Sequence, residues 1–467
     1  MRWTIVFGLA SVMLASCAIA GRYVLPPPPD TQAYLTVAVP PQAVPGDILA
    51  RWWEAYHSPE LDRLVTMALA ANSDLSVAEA TLRQSSEETR AAGGALLPVV
   101  DAGLTSERSK TSQYLSPVLN QQVFDFTLQT AQVSVSYTFD LFGGVRRQIE
   151  SARAATEVQY YKTAAARLTL TTNVVAAALQ EASLRAQLAA ARRSVAANAT
   201  VLTLFQRRQA LGANGLADVE TQAAALGQAE GVLPPLERAL VHQQAALSIL
   251  LGREPSLKLP ATVNLDRLAA PDTVPLRLPS ELVRIRPDIR AAAAALHGAS
   301  ADLGVAIAAR MPAITLTAAA GGASPNFADL FRNGNPFWQV IGGITQPLFH
   351  GGALRHKQRA AEAALDAARA QYRSTVLQAF VDVSDALTAL STDDAALAAS
   401  LRADRAAQQS LTFVQRQVEL GAGDNLTTLI AIATAAQTAQ TLIQAKTARF
   451  VDRVALVQAL GGPSVSQ

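Results

Sequence analysis

A stretch without proline, residues 351–421, constrains this 467-residue chain more than any other feature. Apolar residues recur within it in steps of three and four, the heptad spacing of a helix that packs along one seam. They are Val376, Phe380, Val383, Leu387, Leu390, Leu397, Leu401 and Leu411. As a single helix the stretch would be roughly 105 Å long at about 1.5 Å per residue. A globular domain does not accommodate such a length, so we expect the helix to span a distance greater than the width of a globular domain.

The same pattern occurs earlier in the chain, which predicts a tandem duplication. A second heptad seam covers residues 174–205. A shift of 209 residues places the seam residue Val174 on Val383 and also places Gly252 on Gly461. The segments that precede the two seams align with a shift of 214 residues. Each half therefore consists of a helix, two strands, a long helix and a further helix.

This duplication sets the predicted domain organisation. We expect a signal peptide (1–16), a proline-rich lipidated tether (17–50), a first repeat (51–254), a linker (255–279) and a second repeat (280–462). The first repeat is predicted to contain a helix, strands at about 98–106 and 123–142, a long helix at about 143–210 and a helix at about 216–252. The second is predicted to contain a helix, strands at about 312–322 and 337–349, a long helix at about 351–420 and a helix at about 425–460.

Two stretches in each repeat alternate apolar and polar residues, which is the pattern of β-strands. In the second of these stretches the apolar positions change from even to odd numbers near Thr130, so we expect a bulge or two separate strand segments there. The last strand of each repeat ends at a glycine pair. These pairs, Gly143-Gly144 and Gly351-Gly352, are the predicted joints at which a strand passes into a long helix.

Four strands of about ten residues have the length of tilted membrane strands. A sheet in lipid must close on itself, because every backbone polar group needs a partner within the protein. Four strands cannot close a barrel, since about eight are needed even for a filled one. Several copies would therefore share a barrel, and three copies would give twelve strands around a water-filled lumen. The alternative is a pair of soluble hairpins packed on the helices.

The N-terminus has the features of an export signal. Arg2 precedes a mostly apolar segment, and Leu14-Ala15-Ser16 leads to Cys17, the only cysteine. This tetrapeptide resembles a bacterial lipobox, which implies cleavage before Cys17 and lipid attachment to it. An ordinary signal peptide is the alternative. No later run of 18 apolar residues occurs, so we expect no transmembrane helix in the mature protein.

Composition argues against nucleic-acid binding and against a catalytic or metal site. The net charge is only +2, and no run rich in lysine and arginine occurs. The five histidines lack metal-ligand spacing, and one cysteine excludes a thiolate cluster. We therefore expect neither an enzyme nor a cofactor, apart from the lipid on Cys17.

Three stretches carry a resemblance to a known family. They are Arg51-Trp52-Trp53, Arg286-Pro287-Asp288-Ile289, and the turn from Leu420-Gly421 to Leu426. In these the chain resembles the TolC-like outer-membrane factors of tripartite efflux pumps, in the lipoprotein branch that includes OprM- and NodT-like proteins. The resemblance implies an α+β membrane protein whose two tandem repeats supply four strands of a shared trimeric 12-stranded β-barrel, continuous with a long periplasmic α-helical barrel.

The resemblance also implies partners and a location. The homotrimer would lie in the bacterial outer membrane, in contact with its lipid and anchored by Cys17. It would extend into the periplasm, dock to a periplasmic adaptor protein and serve an inner-membrane transporter of the RND type or the ABC type. Small molecules would leave through it passively. Alternatives are a duct for type I protein secretion and a structural periplasmic coiled-coil lipoprotein.

The predicted periplasmic turn departs from the family pattern. Family members often carry carboxylates in the helix after the glycine, where this chain has Thr427, Thr428 and Ile430. Asp424 and its first-repeat counterpart Asp218 are the nearby acids. We expect them either to line a closed aperture, where a carboxylate ring selects cations, or to act as helix N-caps.

Cations follow both predicted joints. Arg146 and Arg147 follow the first, and a larger group follows the second: Arg355, His356, Lys357 and Arg359. Because cations oppose the dipole at a helix N-terminus, another interaction could favour them there. Phosphates of the periplasmic leaflet and a solvated basic face are both consistent with the pattern.

Overall fold

The computed structural model describes residues 33–34, 37–38, 51–110, 125–269, 279–332, 334–420 and 424–462. The signal peptide, Cys17, most of the tether and part of the linker lie outside these residues, as do Gly421 and Gly423 of the predicted turn. Within the tether, the short strands β1 (Ala33–Tyr34) and β2 (Val37–Ala38) pair in antiparallel fashion.

The described elements follow one another in the same order in both repeats. In the first repeat they are α1 (Pro59–Ala71), α2 (Ser73–Gly94), β3 (Val99–Lys110), β4 (Asp125–Phe139), α3 (Gly144–Ala210), α4 (Leu216–Gly231) and α5 (Leu233–Leu250). In the second they are α6 (Pro279–Ile285), α7 (Pro287–Ala308), β5 (Ala313–Ser324), β6 (Pro336–Thr345), α8 (Ala353–Glu419) and α9 (Asn425–Ala459).

The two long helices, α3 and α8, each contain 67 residues, which corresponds to about 100 Å. Shorter helices are divided where the sequence interrupts the helical pattern. The carboxamide of Asn72 separates α1 from α2 and accepts a hydrogen bond from the Leu75 amide at 2.9 Å. Pro234 and Pro235 occupy the first turn of α5, so α4 ends just before them.

The four longer strands form one antiparallel sheet in the order β3-β4-β5-β6. The register of β4 is continuous against β3 from Asp125 to Ser136 and against β5 from Gln129 to Phe139. The predicted bulge or break near Thr130 is therefore wrong. The strands β4 and β6 also end before the predicted residues 142 and 349, because Asp140 caps the following helix and Pro347 has no amide hydrogen to donate.

The described chain forms two compact units. One contains residues 82–159 and 292–372, including the sheet. The other contains residues 160–291, the residues from 373 onwards and the chain before residue 82, and is helical. The largest core of the helical unit includes the following buried side chains: Trp52, Trp53, Tyr56, Leu64, Val174, Leu179, Leu247, Phe450 and Val454.

Two helices, α7 and α9, are long and apolar enough to cross a membrane by length and composition, each with a mean hydropathy of 1.3. Neither helix contains an uninterrupted run of 18 apolar residues, so the expectation of no transmembrane helix stays a prediction. Phe450 and Val454 of α9 pack into the core of the helical unit. We therefore assign α9 to that core.

Both repeats join their opening and closing helices by equivalent contacts. Asn72 donates a hydrogen bond from Nδ2 to the Leu250 carbonyl at 3.0 Å. Arg286, which the 214-residue shift places on Asn72, donates from Nη1 to the Ala459 carbonyl at 3.0 Å. Each carbonyl belongs to the last residue of a helix, where no intrahelical donor remains.

A carboxylate pair links α8 and α9 inside the helical unit. Burial, a hydrogen bond to Asp452 and the charges of Asp452 and Asp394 together raise the pKa of Asp393 from 3.8 to about 6. Between these two values the folded chain binds a proton that the unfolded chain has released. Stability therefore falls as the pH rises from 3.8 to about 6.

We expect Asp393→Asn to remove this pH dependence and to raise the free energy of unfolding at pH 7.5 by about 1 kcal/mol. Melting curves between pH 4 and pH 8 measure both effects. Asp385→Asn is the matched control, because Asp385 is exposed on the same helix and is not among the groups that raise the pKa of Asp393. An equal pH dependence in Asp393→Asn and the natural chain would contradict the prediction.

Candidate functional site

One face of the four-stranded sheet is apolar across all four strands. Directly paired residues point to the same side of a sheet, so the register identifies its members. They are Val100, Ala102 and Leu104 of β3; Ala131, Val133, Val135, Tyr137 and Phe139 of β4; Ile314, Leu316, Ala318 and Ala320 of β5; and Trp338, Val340, Gly342 and Ile344 of β6. We call this set the apolar face. Most of its large side chains are exposed, as Trp338 at 78% and Ile344 at 73% illustrate, and Val135, Tyr137 and Ile314 are half-buried.

Over the height of the apolar face, the opposite face is polar or small, apart from Val99, Phe337 and Ile341. It carries Asp101, Gly103 and Thr105; Thr130, Gln132, Ser134, Ser136 and Thr138; Thr315, Thr317, Ala319 and Gly321; and Gln339 and Gly343. We call this set the polar face. A sheet with one apolar and one polar face suits a wall between lipid and water.

The apolar face has a limited height. Along β4 it extends over about nine residues, from Ala131 to Phe139, and nine residues tilted at about 40° span roughly 20–25 Å, close to the apolar band of a membrane barrel. Beyond it the same side of the sheet carries the ion pair of Arg108 with Asp125 at 3.6 Å. The side chains of Phe126 and Leu128 point to the other side, which explains the change of parity near Thr130 without a bulge.

Neither edge of this sheet pairs with a further strand in the described part of the chain. The outermost strands β3 and β6 each pair with one neighbour, β4 and β5 respectively. Each outermost strand therefore presents a row of backbone donors and acceptors. The sheet thus has two open edges and an exposed apolar face.

The four glycines of the predicted joints lie where the chain leaves the sheet. Gly143, Gly351 and Gly352 have φ values of +79°, +58° and +84°, a left-handed conformation that favours glycine. Gly144 is the first residue of α3, and a Cβ atom there would lie 3.1 Å from the Cβ of Ala308. All four glycines are therefore suited to their positions by backbone conformation or by close packing.

Asp140 contributes to the first joint, although the sequence pattern predicts a strand at this residue. Its carboxylate accepts hydrogen bonds from the backbone amides of Val145 and Arg146, both at 3.0 Å. The Arg146 side chain donates to the same carboxylate at 3.1 Å. Arg147 forms an ion pair with Glu150 at 2.6 Å. The cations of the first joint are thus neutralised within the chain.

Both acids of the predicted periplasmic turn act in helix capping. Asp424 is the N-cap of α9, and its carboxylate accepts hydrogen bonds from the Thr427 amide and hydroxyl, both at 2.9 Å. These two hydrogen bonds lower the pKa of Asp424, and the bond from the Thr427 backbone amide has the largest effect. Asp218 lies in the first turn of α4 and accepts a hydrogen bond from the Gly215 amide at 3.1 Å. The N-cap prediction is confirmed for Asp424, whereas Asp218 acts from the third helical position.

Two substitutions of Asp424 separate capping from a role in ion selection. Asp424→Asn keeps an acceptor for the Thr427 amide and removes the charge, whereas Asp424→Ala removes both. If a carboxylate ring lines an aperture, both variants should lower cation selectivity in bilayer recordings. If Asp424 only caps the helix, Asp424→Asn should behave as the natural chain does, and only Asp424→Ala should accelerate amide exchange in the first turn of α9.

The comparisons with known proteins agree with this geometry. A family model described as Outer membrane efflux protein matches residues 64–253 and 278–462, one segment in each repeat. The pyoverdine export outer membrane protein OpmQ of Pseudomonas putida is 32% identical over 90% of this chain and 89% of its own. Outer membrane protein OprJ of Pseudomonas aeruginosa is 30% identical over 98% of this chain and 96% of its own.

Solved structures show the same architecture. The open state of the MtrE outer membrane channel of Neisseria gonorrhoeae superimposes with a TM-score of 0.84 at 26% identity, over 96% of this chain and 98% of that one. The outer-membrane channel OprN superimposes with a TM-score of 0.84 at 24% identity, over 96% and 99%. The resemblance to TolC-like outer-membrane factors is thereby confirmed, while membership of the lipoprotein branch stays a prediction: the chain belongs to the outer membrane efflux protein family and has the fold of its TolC-like channels.

Proposed function

We propose that three copies of this chain form one outer-membrane duct through which an efflux pump exports small molecules. The observation that carries the proposal is the sheet with an apolar face, a polar face and two open edges. In lipid the open edges must be paired, and the only strands that the described chain leaves available are β3 and β6 of other copies. Three sheets joined edge to edge give a twelve-stranded barrel with the polar faces around its lumen.

Exposure along the long helices supports the association of several copies. The seam residues Val174, Leu188 and Phe205 of α3 are buried within the single chain. The seam of α8 is buried at Val383 but exposed at Leu401, at 41%. On the same stretch of α8, Phe413 is 68% exposed. A neighbouring copy that packs against this part of α8 would cover both side chains.

We infer the class of exported molecule from the names of relatives and from the residues of the polar face. OpmQ is named for pyoverdine export and ArpC of Pseudomonas putida for antibiotic efflux, and these names describe those proteins. The polar face carries hydroxyl, amide and glycine groups and one carboxylate, Asp101, which favours cations as a class and does not select one solute. Substrate choice therefore belongs to the partners, which we propose to be a periplasmic adaptor and an inner-membrane transporter of the RND or ABC type.

We also propose that Cys17 carries lipid. The support is the Leu-Ala-Ser-Cys sequence after an apolar segment. Mass spectrometry of the mature N-terminus tests the proposal. An acylated Cys17 as the first residue is expected, and a mature chain that begins after Cys17 would contradict it.

Adjacent substitutions on opposite faces test the duct. Val133 lies on the apolar face and Ser134 on the polar face at mid-height of β4. Val133→Arg should impair membrane insertion, since arginine on the lipid side costs about 2–4 kcal/mol at the midplane. Ser134→Arg should insert normally and lower the cation conductance in planar bilayers, because three added charges would line the lumen. Inserted protein that does not conduct, or equal effects of the two substitutions, would contradict the proposal.

A further inference from the structure

The second joint exposes large apolar side chains directly after the sheet ends. Leu348 is 91% exposed and Phe349 is 87% exposed, and both follow the last paired residue of β6, Thr345. Ile344 of the apolar face precedes them and is 73% exposed. Apolar surface therefore continues past the end of the sheet, towards the N-terminus of α8.

Four basic side chains follow on the first turns of α8. Arg355, His356, Lys357 and Arg359 are all exposed. None of their side chains forms a hydrogen bond or ion pair with another residue that the structure describes. The first acid along α8 is Glu362. Three permanent cations thus stand close to a helix N-terminus, where the macrodipole disfavours positive charge unless an anion is bound.

The first joint is different in this respect. Its arginines are paired with Asp140 and Glu150. When Leu141 is aligned with Leu348, the position of Asp140 is occupied by Pro347 in the second repeat. The second joint therefore lacks the acid that neutralises the first one, although the two repeats share the same architecture.

We propose that the second joint binds the phosphate groups of acidic phospholipids in the periplasmic leaflet. Arg355, Lys357 and Arg359 would contact the headgroups, and Leu348 and Phe349 would insert among the acyl chains. Guanidinium groups suit phosphate because two parallel N–H donors match two phosphate oxygens. The inference rests on the proposed crossing of the outer membrane by the sheet, because that crossing places the joint at the level of the leaflet surface.

Lipid retention on the purified full-length protein tests the site. The protein in a neutral detergent is titrated with phosphatidylglycerol or phosphatidylcholine, and bound lipid is counted by native mass spectrometry. We expect the natural chain to retain phosphatidylglycerol preferentially. The triple variant Arg355→Gln, Lys357→Gln, Arg359→Gln should lower the affinity for phosphatidylglycerol about tenfold or more and leave that for phosphatidylcholine unchanged.

A matched control removes the same charge elsewhere. Arg193, Arg238 and Lys258 are exposed and have no side-chain partner in the described part of the chain. Their combined substitution by glutamine should leave phosphatidylglycerol retention unchanged. Equal losses in the two triple variants, or no loss in the first, would overturn the proposal. Inorganic phosphate forms a separate arm, and retention of phosphate as strong as that of phosphatidylglycerol would overturn the lipid assignment.

Bilayer recordings distinguish this inference from the proposed function. If the natural chain fails to conduct, the duct proposal fails. If the natural chain and the triple variant both conduct while lipid preference is the same in both, only the headgroup site is refuted.

Discussion

Arg286→Ala is expected to lower the free energy of unfolding by about 2–4 kcal/mol. The Arg286 side chain is 10% exposed, and its guanidinium uses all three nitrogens. Nε donates to both carboxylate oxygens of Asp288 at 2.9 and 3.0 Å. Nη1 donates to the carbonyls of Ala379 and Ala459, and Nη2 donates to Asp382. One side chain therefore joins the start of α7, the middle of α8 and the end of α9.

Truncation leaves these acceptors without their donor. The terminal carbonyl of α9 has no intrahelical alternative, and a buried acceptor without a partner costs about 1–3 kcal/mol. The side chains of Asp382 and Asp288 are 33% and 42% exposed, so water can solvate both carboxylates after the arginine is removed. This solvation limits the loss in the free energy of unfolding. The effect should therefore fall below that of breaking a fully buried ion pair.

Two further variants make the Arg286 prediction specific. Arg286→Lys keeps the charge but cannot reproduce the planar set of donors, so we expect an intermediate loss. Arg284→Ala removes an exposed arginine two residues away and should have almost no effect. Chemical denaturation followed by far-ultraviolet circular dichroism compares the three variants. Equal midpoints for Arg286→Ala and Arg284→Ala would contradict the role assigned to Arg286.

Gly252→Ala should destabilise the chain by about 3 kcal/mol or more. Gly252 has a φ of +65°, and a Cβ atom there would lie 2.1 Å from the carbonyl oxygen of Ala71. Because this neighbour is backbone, α1 or the end of α5 would have to move. That movement would strain the hydrogen bond of Asn72 to the Leu250 carbonyl.

Gly212→Ala is a matched control for the backbone strain alone. Gly212 has a φ of +77°, and nothing lies within 4 Å of the Cβ position. A left-handed conformation costs about 1–2 kcal/mol for a residue with a side chain. We therefore expect the loss in Gly212→Ala to be about 1 kcal/mol. Thermal melting of both variants separates the two contributions, and losses of similar size would refute the close contact at Gly252.

The elements of this fold could be predicted because their signals are local. Heptad spacing and the absence of proline predict α3 and α8, and alternation predicts the four strands. The change of parity near Thr130 was misread as a bulge because a single strand shows which residues are apolar but not which side faces lipid. The register against β3 and β5 shows that the strand continues without a bulge. It also shows that Phe126 and Leu128 lie on the side of the sheet opposite to the apolar face.

The contacts that close each repeat could not be predicted from one sequence. Arg286 and Asn72 act on carbonyls far along the chain, and neither residue type signals such a partner by its neighbours. Asp140 was missed for a simpler reason, since it continues the strand alternation and its capping role depends on the turn at Gly143. The acids Asp424 and Asp218 were found because their positions beside helix starts are typical of caps.

The central claim, that copies of this chain pair edge to edge, can be tested by cross-linking. Leu104 of β3 and the even-numbered residues of β6 lie on the apolar face at opposite edges of one sheet. Leu104→Cys is combined in turn with Trp338→Cys, Val340→Cys or Gly342→Cys to sample the register between copies. At least one pair is predicted to form disulfides between chains in the membrane, with a covalent ladder that ends at three chains. Products that stay monomeric for all three pairs, or a ladder that continues beyond three, would contradict a closed barrel of three copies.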